Sequence, residues 1–264
     1  MKISEKFEKL KEKKEKALIG FITVGDPTPK DTIFIAKSLI EGGVDIIELG
    51  LPFSDPLADG PTIQKASLRA LNSGMNPNIY FEIVKEIKGI PKVCLTYYNL
   101  ILQRGIKKFV KDCQKSEILG LIVPDLPIEE AKPLLKFCNL FDVDLIFLIA
   151  PTTPKERIKK ISKSARGFLY LVSLLGTTGE REKLSKYVKP LINRVKSLSL
   201  QIPLCVGFGI SKPEHVKEIL KAGADGVILG SAFVKIIEKN LKNKKNLLFE
   251  LKNFAKKLKE KCKF

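Results

Sequence analysis

Eight short, nearly continuous apolar segments punctuate the chain: ALIGFITV, VDIIELG, KVCLTYY, GLIVP, VDLIFLIA, GFLYLVS, PLCVGF and DGVILG. Runs of that length and composition suit strands buried on both faces of a parallel sheet. Between them, apolar residues recur every three or four positions near 32–40, 61–71, 105–115, 129–140, 155–164, 187–198 and 213–221, with a last stretch at 247–259. Those spacings predict crossover helices with one buried face. Alternation of eight strands with helices predicts an α/β protein, a (β/α)8 TIM barrel forming a single domain over 1–264, with an extra N-terminal helix. An open parallel sheet satisfies the same count.

One pair of segments repeats. EGGVDIIELG at 41–50 resembles KAGADGVILG at 221–230, each with glycine suited to ending a helix and an Asp before the strand. In this alignment Glu48 stands where Ile228 stands in the sister unit. Burying a carboxylate at an apolar strand end costs stability and raises its pKa, so the exchange calls for a function or a compensating partner.

Composition narrows the chemistry. The chain has 264 residues and only one histidine, His215, expected on the solvated first turn of an outer helix. Catalysis therefore falls to carboxylates, tyrosines, lysines or backbone amides, and a histidine-built metal site is excluded. Five cysteines, Cys94, Cys113, Cys138, Cys205 and Cys262, form no CxxC pair and are expected to be reduced and structural. Lys and Arg outnumber Asp and Glu by 47 to 29. The lysines lie on helix-like stretches without interleaved aromatics, which favours a solvated, heat-adapted exterior over nucleic-acid binding. No apolar run approaches the roughly 18 residues of a membrane span, and the first residues are too charged for a signal peptide, so a cytoplasmic protein is expected.

In such barrels chemistry gathers where the carboxyl ends of the strands meet. Residues in those positions fall into two sets. A late, glycine-rich set comprises Gly207 to Ser211 and Gly230 to Ala232, either tight turns or backbone cradles for a phosphate at a helix N-terminus. An early, acidic set comprises Glu48 and Asp59, flanking LGLPFSDPLADGP, a segment too rich in proline for helix and long for a connecting loop. Glu48 reads as a satisfied buried acid or a catalytic one; Asp59 reads as a cap for the helix starting near Pro61 or a catalytic carboxylate. Gly176 to Gly179, ahead of GEREK, is either a surface loop or a lid.

The segment ELGLPFSDPLADGPTIQ resembles the signature of the tryptophan synthase alpha subunit family, and APTTP, GTTG, VGFGIS and GSAFVKIIE follow in that family's order, a likeness spanning about 7–251. The resemblance implies a barrel lyase that splits indole-3-glycerol phosphate into indole and glyceraldehyde 3-phosphate with no metal or organic cofactor. It implies Glu48 as acid–base, Asp59 as acceptor of the indole N–H, and Tyr170 near the glycerol end. It implies phosphate on the amides of Gly179, Phe208, Gly209, Gly230 and Ser231. Phe21, Leu95, Ile122, Ile149 and Phe208 would wall the indole ring, and Thr177 and Thr178 would belong to a lid. One departure stands out: Thr177 occupies a place where the family often has valine, with Leu174 and Leu175 before it.

The implied reaction agrees with the residue inventory. Carbon–carbon cleavage beside a hydroxyl needs an electron sink, commonly a Schiff-base lysine or a metal. No lysine ends any of the eight strands, so the sink falls to the indole ring once C3 is protonated. The resemblance also implies a pyridoxal-phosphate beta subunit as partner in an αββα complex, with 52–60 and 99–104 as candidate contacts, and neither nucleic acid nor membrane. The rivals are another phosphate-handling barrel isomerase or synthase and a basic, noncatalytic binding module.

Overall fold

The computed structural model describes residues 2–172, 183–207, 210 and 212–264, side chains 183–187 excepted. Nine strands lie in one sheet among the described residues: β1 (Ala17–Thr23), β2 (Ile46–Gly50), β3 (Lys92–Leu95), β4 (Ile118–Ile122), β5 (Asp144–Ile146), β6 (Leu148–Ile149), β7 (Leu169–Val172), β8 (Leu204–Gly207) and β9 (Gly226–Leu229). The order is β5-β4-β3-β2-β1-β9-β8-β7-β6, and neighbouring strands pair parallel. Its two ends are the halves of one apolar segment, separated only by Phe147, whose carbonyl accepts the Tyr170 N–H at 3.0 Å. The sheet therefore closes on itself as the expected eight-segment barrel, and the open-sheet alternative falls.

Alternation along each strand sorts side chains into two apolar layers. Ala17, Ile19, Ile46, Val93, Ile122, Ile146, Phe168, Cys205 and Ile228 fill the barrel; a larger cluster, including Leu18, Ile22, Ile47 and Leu49, packs outward beneath the helices. The helix Ile3–Glu12 buries Ile3, Phe7 and Leu10, spaced for one face, against the inner cluster. It stoppers the end where the strands begin. Gly120 makes room for it, since a Cβ there would stand 2.9 Å from Ile3 Cδ1.

The sequence repeat has an atomic counterpart. Asp45 gives its N–H to Leu18 O and takes the Leu18 N–H on Oδ2; Asp225 does the same with Leu204. Each aspartate clamps the strand before its own, and each is matched by two lysines: Lys6 and Lys259 for Asp45, Lys16 and Lys196 for Asp225.

The predicted helices are present, Lys155–Ser164 and Pro213–Lys221 with the expected ends and others shifted, among them Pro29–Glu41 and Pro61–Asn72. Three more are additions. Pro77–Glu86 had a local signal, for Asn76 caps it by accepting from Asn78 N and Ile79 N, with proline at its first turn. Tyr98–Arg104 had none nearby: Tyr97 and Tyr98 leave the strand because Asp125, from the next unit, accepts the Tyr98 N–H at 3.0 Å. Ser231–Lys239 follows β9 directly. His215 sits in the first turn of Pro213–Lys221 as expected but is partly buried, with Nδ1 lacking a partner, instead of solvated.

Candidate functional site

Glu48 is the middle residue of β2, in register with Phe21 of β1 and Val93 of β3. It is 1% exposed, and neither carboxylate oxygen has a hydrogen-bond partner among the described residues. The satisfied-acid reading therefore fails. Burial, then the charge of Asp59, pushes its pKa up to about 8, so the side chain is a neutral acid at pH 7.

Asp59 lies in the loop before Pro61–Asn72, and it does not cap that helix: Gly60 is the cap, its carbonyl taking the N–H groups of Ile63 and Gln64. The loop is tied down elsewhere, by Ala58 N–H on Tyr97 Oη at 3.1 Å and by Gln64 Nε2 on the Asp59 carbonyl at 2.8 Å. Burial lifts the Asp59 pKa to about 6, opposed by a hydrogen bond from Tyr97. Between about pH 6 and 8 one carboxyl is thus ionised and the other protonated. A pair held apart in this way suits separate electrostatic and acid roles.

Tyr170, on β7, packs with the inner cluster beside Leu148. Burial, then the charges of Glu48 and Asp59, lifts its hydroxyl well above the usual range, so it stays protonated. Its ring lies across Gly207, where an added Cβ would clash with Cε2. Glu48, Asp59 and Tyr170 therefore lie close enough to feel one another's charge at one end of the barrel.

Phe21 packs with Ile63, Ala66, Val234 and Leu95. A Cβ at Gly50 or Gly230 would meet its ring at 2.8 or 3.1 Å, so both glycines make room for it. Ile122 is buried in the inner cluster near Leu95. Ile149 is not brought there: it pairs with Leu171 and packs in the outer cluster, while Leu148 faces the inner one. Alternation along the segment is unbroken, with Ile146 and Leu148 facing inward and Leu145, Phe147 and Ile149 outward. Gly230 precedes the exposed Ser231 at the start of Ser231–Lys239, whose N-terminus no side chain caps. Thr177, Thr178, Gly179, Phe208 and Gly209 lie outside the described residues. Tyr97, just beyond β3, is a functional candidate that the sequence did not single out; its signal was a hydroxyl-bearing residue near the end of the apolar run KVCLTYY.

Residues 7–263 match the family model for the tryptophan synthase alpha chain. The chain belongs to that family. It is a lyase-type subunit of tryptophan biosynthesis. It is 55% identical to the tryptophan synthase alpha chain of Methanocaldococcus jannaschii over 91% of this chain and 86% of that one. The alpha chain of Methanosarcina barkeri is 52% identical, covering 98% and 96%. A chain of the solved tryptophan synthase complex from Pyrococcus furiosus superposes with a TM-score of 0.84 at 40% identity, covering 93% and 98%. For an alpha chain, two acids facing an apolar barrel end is the arrangement that needs explaining.

Proposed function

We propose that Glu48 and Asp59 divide the work of cleaving indole-3-glycerol phosphate to indole and glyceraldehyde 3-phosphate. Protonated Glu48 delivers its proton to C3 of the indole ring, which becomes an iminium and can accept electrons. The resulting carboxylate takes the proton of the glycerol hydroxyl as the C–C bond breaks, its electrons return to the ring, and the aldehyde departs. Glu48 ends as it began. Asp59, ionised, accepts the ring N–H and stabilises the positive charge that develops there. Tyr170 supports the glycerol end, and the amides of Gly179, Phe208, Gly209, Gly230 and Ser231 hold the phosphate. Phe21, Leu95 and Ile122 wall the ring, with Thr177 and Thr178 in the lid.

The observation that carries this reading is the buried, unpartnered Glu48 within electrostatic reach of Asp59. A lysine route has no support in the geometry: Lys92 begins β3, and its Nζ donates to Val84 O and Ile87 O. Among the described residues no group of three His, Cys, Asp or Glu is arranged to hold a metal.

The partner is a beta subunit, docking on 52–60 and 99–104, where Leu57 is 88% and Leu102 50% exposed. The compartment is the cytoplasm, which suits five buried free cysteines. No described helix is long and apolar enough to cross a membrane. An indole-release assay tests the whole reading: the chain liberates indole from indole-3-glycerol phosphate, faster with a beta subunit present, and Asp59→Asn loses at least ~100-fold in rate. No indole, or no loss in that variant, overturns it.

A further inference from the structure

Tyr97 has no part in the scheme above, yet its surroundings give it one. Only 2% of it is exposed, so its hydroxyl must find partners inside the protein. Its oxygen accepts the Ala58 N–H at 3.1 Å, and its ring packs against Phe53, centroids 5.4 Å apart. The two contacts grip the loop at Phe53, ahead of the turn closed by Asp59 N–H on Pro56 O, and at Ala58, the residue just before Asp59. A phenol that accepts from an amide still has its own proton to give, and the acceptor next along the chain is the Asp59 carboxylate.

We propose that Tyr97 is a positioning residue that aims the Asp59 carboxylate at the indole end of the site. The inference rests on the reading of Asp59 as the charge-stabilising group. The charge of Asp59 is felt by Glu48 from β2, Tyr170 from β7 and Tyr97 beyond β3, and Asp125 acts on Tyr97 from the next unit. Among these, Tyr97 alone lowers the Asp59 pKa. A hydroxyl that donates to a carboxylate favours its charged form, so deleting it raises the pKa at which activity is lost on the acid side.

The test is the pH profile of kcat/KM for the full chain carrying Tyr97→Phe, Asp59→Asn or both. Tyr97→Phe, which keeps the ring on Phe53, moves the acid limb upward by about one pH unit, lowers kcat more than it changes KM, and leaves binding of glycerol 3-phosphate unaltered. In the Asp59→Asn background the same substitution adds no further loss, whereas a general loosening of the fold would act in both backgrounds. An unmoved acid limb, or an equal loss in both backgrounds, overturns the proposal. If Asp59→Asn itself keeps the parent rate, the Asp59 reading falls and this one with it; a slow Asp59→Asn beside an unmoved Tyr97→Phe limb sinks this one alone.

Discussion

The barrel buries charge in two opposite ways. Where the strands begin, each buried ionic group is met: Asp45 by the Leu18 N–H, Lys6 and Lys259, and Lys92 by two carbonyls with Glu117 at 3.6 Å. Further along, in the middle of β2, Glu48 is as deeply buried as Lys92, each 1% exposed, and has no hydrogen-bond partner among the described residues. Burial displaces the pKa of both, Lys92 down and Glu48 up, each to about 8. A displaced pKa therefore does not tell a structural ion from a catalytic one; the missing partners do. The start of the barrel is stoppered and satisfied, whereas Glu48 is left without a hydrogen-bond partner among the described residues.

The sharpest way to break this contrast is Glu48→Gln. Turnover falls by ~100-fold or more while glycerol 3-phosphate still binds, as calorimetry would show. The same change stabilises the protein at alkaline pH. The native Glu48 pKa of about 8 exceeds the ordinary 4.5, so the folded state binds the extra proton and parent stability falls as pH rises between those values. Melting temperatures of parent and variant should separate progressively from about pH 4.5 and level off above about pH 8, and a separation indifferent to pH across that window would count against the burial of an ionisable acid.

Next in size is Asp45→Ala, which strips the acceptor from Leu18 N and a partner from Lys6 and Lys259. Denaturant unfolding should show a loss of about 3 kcal/mol, with kcat/KM of the folded fraction unchanged. Gly207→Ala drives a methyl into the Tyr170 ring and should cost about 1–3 kcal/mol together with a fall in kcat, since the displaced ring belongs to the active end. Smallest is Lys88→Ala: its ion pair with Glu117 is 57% exposed on both sides, and its loss should be no more than about 0.5 kcal/mol in the same unfolding assay.

Much of this was legible in the sequence. Apolar runs gave the strands, and comparing the two repeated units singled out Glu48 opposite Ile228, which the structure finds packed in the inner cluster. Local pattern could not reveal what depends on distant partners. The turn of Tyr98 into a helix is driven by Asp125, and the grip of Tyr97 on Ala58 spans 39 residues. The outward packing of Ile149, by contrast, was readable, because strict alternation puts Ile146 and Leu148 inward and Phe147 and Ile149 outward. Pro77–Glu86 is a different kind of miss, because its capping asparagine and first-turn proline were in plain sight.

The most direct measurement is an NMR titration of the Glu48 side-chain carbonyl carbon, in the parent and in Asp59→Asn. A midpoint near 8 that drops when the neighbouring charge is removed is the expected result. A midpoint near 4.5, indifferent to residue 59, would contradict the picture of an unpartnered acid poised beside a second carboxylate.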